Sequence, residues 1–301
     1  PSPPGSPAGL PPLPIRSRDY AAWCADPARG AEREAARAYW RRRLDALPAA
    51  LDLPRAGEPD GRGAFVPLRL DSALAARLER YGQERGATLY MVLLAGWAAL
   101  LARFTGARDL PIGTPIANRN RNRTETEELV GFFVDTLVLR TDLSGDPGFG
   151  TLTERVRDAC LEDFRHQDLP FGELVAMLRP ERRAGRTPLF QAMFNLLTLP
   201  PWEERAGPVH LVGEAVELPV ARFDLALELQ AADSAVSGRL EYRSGLIARE
   251  TAEAMAAAYA TLLAAALDDP RRPIDALPLM DRAAAAALAE RTNGPAAARP
   301  A

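Results

Sequence analysis

The clearest absence from this sequence is lysine. All 37 basic residues of the chain are arginines. Chemistry that needs a lysine amine, such as a Schiff base or the phosphate-binding lysine of a P-loop, is therefore excluded in this chain. Histidine and cysteine occur only twice each, as His166, His210, Cys24 and Cys160, and no Cys-x-x-Cys pair is present. This scarcity argues against a metal site of the usual Cys/His kind.

An excess of positive charge is also lacking. The 37 basic residues face 40 acidic ones, and the net charge is -3. No overall positive field would recruit nucleic acid or an anionic membrane, and no apolar run is long enough to span a bilayer. Two cysteines without a disulfide framework favour a reducing compartment. We therefore expect a cytoplasmic protein with no nucleic-acid partner and no membrane partner.

The two ends of the chain are rich in proline, glycine and alanine. The stretch PSPPGSPAGLPPLP opens the sequence, and PAAARPA closes it. Such segments bury little apolar area, so residues 1–16 are interpreted as an extended linker. A chain that begins and ends in linker is expected to be a piece of a longer protein.

Between these ends, helical and strand patterns alternate. The patterns predict seven helices, at about 31–47, 71–85, 88–104, 149–165, 170–178, 248–267 and 281–291. They predict strands at 63–70, 109–119, 131–143 and 189–197, followed by three antiparallel strands within 210–218, 222–230 and 236–243. Pro67 suits an edge strand, whereas 131–143 is apolar on both faces and is expected in the centre of the sheet. The fold class is α/β, an α+β sandwich with a mixed sheet.

Four stretches, taken together, resemble the downstream motifs of the condensation domains of nonribosomal peptide synthetases. The late stretch FDLALEL is similar to a strand of that family, and residues 277–294 resemble the path from a condensation domain into an adenylation domain. The four stretches are RDYAAW (18–23), IGTPIANR with GFFVDTLVLR (112–119 and 131–140), HQDLPFGELV (166–175) and RTPLFQAMFNLL (186–197).

The resemblance implies a chloramphenicol-acetyltransferase-like enzyme with two lobes and a tunnel between them. In that family, donor and acceptor carrier proteins present phosphopantetheine thioesters, and the acceptor amine attacks the donor thioester to form an amide. The family's His-His-x-x-x-Asp-Gly motif belongs to the N-terminal lobe, and this chain has no His-His pair. The chain is therefore interpreted as a C-terminal lobe without the catalytic histidine: residues 17–62 join the lobes, 63–272 form the lobe, and 273–301 lead toward an adenylation domain.

That interpretation carries expectations about partners. The chain should bind no cofactor directly, since its substrates ride on the phosphopantetheine of carrier proteins. Its partners should be the missing N-terminal lobe, the two carrier proteins and the adjacent adenylation domain. Two functions stay open: one lobe of an amide-forming enzyme, or a platform that binds carrier or adenylation domains without turnover. A lobe of an epimerization domain is disfavoured by the intact TPIANR stretch.

Asn118 and Arg119 are the first candidates for the tunnel or the lobe interface. They end a predicted strand at a polar loop, where side chains protrude from a rigid base. An amide both donates and accepts hydrogen bonds, and arginine presents a planar fork. The alternative is that Asn118 closes a turn and that Arg119 pairs with Glu125, Glu127 or Glu128.

The other candidates are Asp135, Thr136, Arg186 and Gln191. Asp135 and Thr136 interrupt an apolar strand, and the buried carboxylate is expected to pair with an arginine. Position 135 is more often asparagine in the family. Gln191 could line the substrate path in one cleft with Asn118, or Arg186 and Gln191 could bind the neighbouring backbone.

No catalytic residue is assigned in this chain. His166 and Asp168 are interpreted as fixing a corner between two helices, and His210 as a strand surface residue. The run Arg41 to Arg43 is interpreted as a solvated helix face, which could also touch an acidic carrier protein.

Overall fold

The described chain comprises a six-stranded mixed sheet, a small hairpin and eight helices. The structure is a computed structural model, and it describes residues 12–48, 51–57, 61–118, 124–181, 186–198, 203–213, 219–232 and 235–293. The helices are α1 Ser17–Cys24, α2 Gly30–Arg43, α3 Ser72–Glu84, α4 Leu89–Thr105, α5 Phe149–Arg165, α6 Phe171–Leu178, α7 Arg249–Asp268 and α8 Arg282–Asn293. The strands are β1 Gly63–Leu70, β2 Asp109–Ala117, β3 Val134–Asp142, β4 Ala192–Leu197, β5 Glu203–Ala206, β6 Val209–Val212, β7 Leu225–Ala232 and β8 Ala235–Arg243.

The main sheet has the strand order β1-β8-β7-β4-β2-β3. Strand β4 runs parallel to both β2 and β7, whereas the pairs β1/β8, β7/β8 and β2/β3 are antiparallel. The prediction of a mixed sheet is therefore confirmed. The three family-like stretches that contain β2, β3 and β4 lie in one sheet, as expected. Strand β1, which contains Pro67, lies at the edge.

The expected central position of β3 is wrong, because β3 forms the other edge of the sheet. Its successive residues Leu137, Val138 and Leu139 are all buried. Since successive side chains of a strand point to opposite faces, both faces of β3 are covered. A guanidinium N–H of Arg43 also donates to the Arg140 carbonyl at 2.5 Å. Apolar residues on both sides of a strand indicate that other elements cover both faces of the sheet there. They do not indicate whether the strand has one neighbouring strand or two.

The expected meander of three antiparallel strands is only partly correct. Strands β7 and β8 pair as predicted, but β6 leaves the main sheet and pairs with β5 in a separate two-stranded sheet. Strand β5 was not predicted. Residues 214–218 of the first expected strand lie outside the described residues, as do most of residues 1–16 and residues 294–301.

Helix α4 is the centre of the core. The Thr88 hydroxyl accepts the Met91 N–H at its start, and Gly106 ends it with a φ of +71°. Every residue from Met91 to Ala102 is buried, which agrees with the expected core helix. Among the described residues, no single helix is both long and apolar enough to cross a bilayer, and α3 and α4 meet that criterion only as a pair bent by 106°.

The segment that precedes the sheet contains two helices. Helix α1 was not predicted, and α2 ends at Arg43, four residues before the expected end at Leu47. The reason lies at Arg140, whose guanidinium binds the carbonyls of Arg43 and Asp45 at 3.1 and 2.7 Å. The last carbonyls of a helix have no intrahelical partner, so a side chain that binds them fixes the helix end. Pro48 is therefore not what stops α2.

The first part of the expected linker 273–301 packs against the lobe. Ile274 and Leu277 are buried, and Arg103 of α4 donates to both of their carbonyls, at 3.0 and 2.6 Å. From Asp281 to Glu290, by contrast, each residue is exposed. The domain boundaries proposed from the sequence stay predictions.

Substitution of Gly238 should strongly destabilise the sheet. A Cβ atom at this position would lie 1.9 Å from the Glu228 carbonyl oxygen on the neighbouring strand. We expect Gly238→Ala to lower the free energy of unfolding by about 3 kcal/mol, as for severe overpacking. Gly30→Ala is the control, because a Cβ there meets nothing within 4 Å. Equal chemical denaturation midpoints for the two variants would contradict the strand packing described above.

Candidate functional site

The first candidate site is a cavity of about 550 Å³ where β2 ends and β3 begins, and we name it the end cavity. Strands β2 and β3 pair up to Ala117 and Val134, and the Asn118 N–H donates to the Phe133 carbonyl at 3.1 Å. The rigid strand pair thereby fixes the backbone on which Asn118 and Asp135 stand. The lining includes Tyr20, Trp23, Asn118, Phe132, Phe133, Asp135, His166 and Asp168.

Among the described residues, Asp135 has no arginine partner of the kind that was expected. Its carboxylate accepts the N–H of Thr136 at 2.7 Å and the N–H of Phe171 at 3.3 Å to each oxygen. Phe171 is the first residue of α6, where backbone N–H groups lack intrahelical partners and the helix dipole favours negative charge. The carboxylate is thus compensated by a helix terminus, and it ties β3 to α6.

Asn118 lies half-buried on the wall of the end cavity. Its backbone closes the connection to β3, in line with the turn interpretation. Its side-chain Oδ1 is buried and has no hydrogen-bond partner among the described residues. Arg119, and with it the expected pairing to the nearby glutamates, lies outside the described residues.

The helix-to-helix corner at His166 and Asp168 forms another wall of the end cavity. The His166 ring stacks on the Tyr39 ring, with 4.0 Å between the ring centroids. The backbone carbonyl of His166 accepts the Trp40 indole N–H at 2.8 Å. The Asp168 carboxylate lies 3.5 Å from Arg29, whose guanidinium covers the Trp23 ring at 4.0 Å. These contacts support the structural interpretation of both residues.

Helix α2 is clamped onto this corner by side chains that sequence reasoning missed. The buried Asp163 carboxylate accepts the Tyr39 hydroxyl at 2.5 Å and the Arg43 Nε at 3.0 Å. Arg43 therefore points into the protein, so the solvated-face interpretation is wrong for it, although Arg41 and Arg42 are exposed. The signal was present in the helical spacing, because Arg43 lies seven residues after Ala36 and three after Trp40, on the buried face of α2.

A second ion pair joins α2 to α6. Glu173 accepts hydrogen bonds from Arg33 at 2.7 Å and from Arg37 at 2.6 Å. Partial burial by itself would raise the pKa of Glu173. The hydrogen bonds from Arg33 and Arg37 outweigh this effect, so the pKa is lowered. Helix α6 is consequently held at its first residue by Asp135 and along its side by α2.

Gln191 does not line the end cavity, so the expected single cleft with Asn118 is wrong; Arg186 does not line the end cavity either. Ile112 of β2 pairs with Ala192 of β4, which places Gln191 beside Pro111 at the start of β2. Asn118 lies seven residues further along, or about 23 Å at the rise of a strand. Gln191 and Arg186 instead line a separate cavity of about 750 Å³, which we name the start cavity.

Gln191 binds backbone, as one of its two interpretations held. Its Oε1 accepts the Leu51 N–H at 2.8 Å, and its Nε2 lies 3.5 Å from the Thr187 carbonyl. Arg186 binds a side chain instead, because its Nε faces the buried Asp224 carboxylate at 3.9 Å. The FDLALEL stretch thus supplies a buried acid to this end of the sheet.

The third candidate site is the open face of the main sheet, a groove of about 650 Å³ that we name the face groove. It is lined by Asp135, Thr136, Asn195 and Glu241 among others. Burial and the charge of Glu228 raise the pKa of Glu241. Phe132 separates the face groove from the end cavity, and its side chain is 91% exposed.

The described residues contain no group of three or more His, Cys, Asp or Glu side chains that could hold a metal ion. The two cysteines are not joined in a disulfide. Burial raises the pKa of Cys160 to about 12, so the thiol does not ionise near neutrality.

The sequence matches one family model, described as Condensation domain, over residues 5–289. It is 36% identical over 299 residues to the malpinin synthetase of Mortierella alpina, an alignment that covers 96% of this chain and 4% of that relative. It is 39% identical over 282 residues to the phosphinothricin tripeptide synthetase PhsB of Streptomyces viridochromogenes, which covers 91% of this chain and 24% of that relative. The chain thus spans only a small fraction of the length of these relatives.

Solved structures extend the comparison. The chain is similar to the X-domain from teicoplanin biosynthesis, solved in complex with OxyB, with a TM-score of 0.82 and 27% identity. It is similar in fold to the condensation domain of the Monacolin K polyketide synthase MokA, with a TM-score of 0.72 and 22% identity. The similarities cover 92% and 85% of this chain, but only 63% and 62% of the solved chains.

Removal of the Asp135 carboxylate should loosen the start of α6. We expect Asp135→Ala to lower the free energy of unfolding by about 1 kcal/mol, the usual cost of a lost helix cap. Asp135→Asn keeps an acceptor and should lose less. Amide hydrogen exchange at Phe171 should accelerate in the alanine variant. Unchanged exchange at Phe171 would show that the carboxylate does not hold the helix terminus.

Proposed function

The chain belongs to the condensation-domain family, and from this we propose that it is the C-terminal lobe of an amide-forming condensation domain of a nonribosomal peptide synthetase. Its mixed sheet with packed helices has the chloramphenicol-acetyltransferase-like fold of the solved condensation domains. The proposal concerns three finer points: which part of the domain this is, what it contributes to the reaction, and what it binds.

The observation that carries the proposal is the combination of coverage and a missing motif. The chain accounts for 63% and 62% of two solved relatives, while almost all of the chain itself is matched. It contains no His-His pair; of its two histidines, His166 stacks on Tyr39 and His210 lies on an exposed strand of the small hairpin. A separate N-terminal lobe would supply both the remaining part of the domain and the catalytic histidine. Alone, the chain should be inactive.

The reaction needs a base and a correct orientation of the two substrates. As the acceptor amine attacks the donor thioester, a C–N bond forms, the C–S bond breaks, and the amine proton must pass to a base while the thiol leaves. The base would be the histidine of the other lobe. This chain would bind and orient the tethered substrates between the lobes. Its contribution would come from the face groove and the end cavity, where Asn118, Asp135 and Thr136 stand on paired strands.

The exposed face of the sheet is where the other lobe would dock. Val130 and Phe132 are 95% and 91% exposed; Phe132 lies in the GFFVDT stretch and borders the face groove, and Val130 directly precedes that stretch. Large exposed apolar side chains that cluster in this way are typical of interaction surfaces. The partner that fits is the N-terminal lobe, which would cover the groove and turn it into a tunnel.

The remaining partners follow from the same proposal. Phosphopantetheine would enter on donor and acceptor carrier proteins, so this chain would bind no cofactor of its own. Helix α8, exposed from Arg282 to Glu290, would lead toward an adenylation domain. A cytoplasmic location without nucleic-acid or membrane partners remains part of the proposal, on the basis of the net charge of -3.

A second candidate function is a platform that binds a partner protein without turnover. The favouring observation is the TM-score of 0.82 to the teicoplanin X-domain, a domain solved in complex with OxyB. The two candidates differ in one respect: only the enzyme requires a His-His-x-x-x-Asp-Gly lobe joined to this chain.

The activity test uses the chain alone and the chain joined to the N-terminal lobe of a homologous condensation domain. Each is mixed with one carrier protein that bears a donor aminoacyl thioester and another that bears an acceptor. We expect dipeptidyl thioester only with the joined protein, and its loss when the second histidine of the His-His pair in the added lobe is replaced by alanine. Product from the chain alone at a rate above the protein-free reaction would refute the half-enzyme proposal.

An inactive two-lobed protein would favour the second candidate function. If the two-lobed protein is folded and monomeric but forms no amide with several donors and acceptors, the platform function is favoured. Capture of carrier or adenylation domains by the chain, measured by calorimetry, would then support that alternative.

Phe132 should report on docking of the other lobe. In the chain alone, Phe132→Ser should leave the melting temperature unchanged, because the ring is exposed. In the two-lobed protein the same change should lower the melting temperature. Leu161→Ser is the control, since Leu161 is 49% exposed on α5 and lines none of the three cavities. Equal effects of Phe132→Ser in both proteins would contradict docking on this face.

A further inference from the structure

The start cavity has no role in the proposed reaction, although it has the features of a ligand site. Its volume of about 750 Å³ lies within the range of small-molecule pockets, which are mostly apolar with a few placed polar groups. Its walls come from the turn after α2, the end of α6 and the approach to β4. The apolar wall residues are Leu44, Leu47, Val175, Leu178, Pro188 and Leu189.

Two hydrogen-bond donors line this cavity, the Arg186 guanidinium and the Gln191 side-chain amide. Among the described residues, both have only distant acceptors. The Arg186 side chain is 11% exposed, and among the described residues its nearest carboxylate is that of Asp224, 3.9 Å from Nε. Asp224 lies closer to Arg243, at 3.4 Å. The Nε2 of Gln191 reaches only the Thr187 carbonyl at 3.5 Å, while its Oε1 is already used by the Leu51 N–H. A molecule in the cavity would therefore meet donors that lack a strong acceptor.

The charges of the described residues around the cavity favour a ligand with a single negative charge. Among the described lining residues, Arg186 is the one cation, and an arginine fork suits a carboxylate. Asp45 is exposed and also lines the cavity, and the last turn of α6 forms part of its wall. Their negative charge and dipole would repel a second anionic group. The rest of the ligand should be uncharged and apolar.

The backbone around the cavity is strained. Four non-glycine residues of the described chain have a positive φ, and three of them are at this cavity: Ala46 at +50°, Arg179 at +45° and Leu189 at +72°. Ala46 and Leu189 line the cavity, and Arg179 joins the lining residues Leu178 and Pro180. Such conformations cost about 1 kcal/mol or more each, and they cluster at ligand clamps and switch regions.

We propose that the start cavity binds an apolar monocarboxylate, with the carboxylate on Arg186 and the Gln191 amide N–H and the apolar body between the leucines and prolines of the walls. The proposal does not depend on the proposed amide-forming reaction, because the cavity lies at the other end of the sheet from Asn118.

The test is calorimetric titration of the chain with decanoate below its micelle concentration. We expect saturable binding to the unaltered chain, at least tenfold weaker binding to Arg186→Gln, and intermediate binding to Arg186→Lys. Val175→Phe, which narrows the cavity without touching the charged groups, should also weaken binding. Arg155→Gln is the control, since Arg155 is an arginine of α5 outside the cavity.

Two further probes test the ligand class. Decan-1-ol, which lacks the charge, and inorganic phosphate, which lacks the apolar body, should each bind at least tenfold more weakly than decanoate. The proposal is overturned if decanoate does not bind the folded chain, if all the variants bind it equally, or if phosphate binds as tightly as decanoate.

Discussion

The packing of helix α2 onto the lobe depends on one buried ion pair, between Arg43 and Asp163. Asp163 is fully buried, and without a cation its charge would be costly in the protein interior. Arg43 supplies that cation and also binds the Arg140 carbonyl, while Arg140 in turn binds Asp109 and the last carbonyls of α2. Helix α2 is thereby fixed to α5 and to β3. Arginine suits this role, because one planar fork serves several acceptors at once.

Once α2 is fixed, the end cavity is fixed as well. Glu173 holds α6 against α2, and Asp135 holds the first turn of α6 against β3. The cavity wall at His166 lies between these two attachments. Its shape is therefore set by hydrogen bonds between separate elements, which is what a site needs if it is to orient substrates brought by another molecule.

Local sequence patterns predicted most of the helices and strands. They did not predict which of these elements pack against each other. The helix at 149–165 and the Thr88 and Gly106 boundaries of α4 were predicted from periodicity and capping residues, which act within a few residues. The edge position of β3 and the partner of Asp135 were not. Both depend on which element packs alongside, and the sequence of β3 carries no record of that. The single cleft failed for a geometric reason: parallel pairing of β2 and β4 places Gln191 and Asn118 at opposite ends of the sheet.

The edge position of β3 has a consequence for aggregation of the protein. The opposite edge strand carries Pro67, which cannot donate to a ladder and so discourages further pairing. Strand β3 has no proline, and its Arg140 carbonyl is occupied by Arg43 from a helix that precedes the sheet. If α2 detached, that carbonyl would become free to pair with a strand of another molecule. We therefore expect high salt or low pH, which weaken the ion pairs of the α2 arginines, to favour strand addition at this edge.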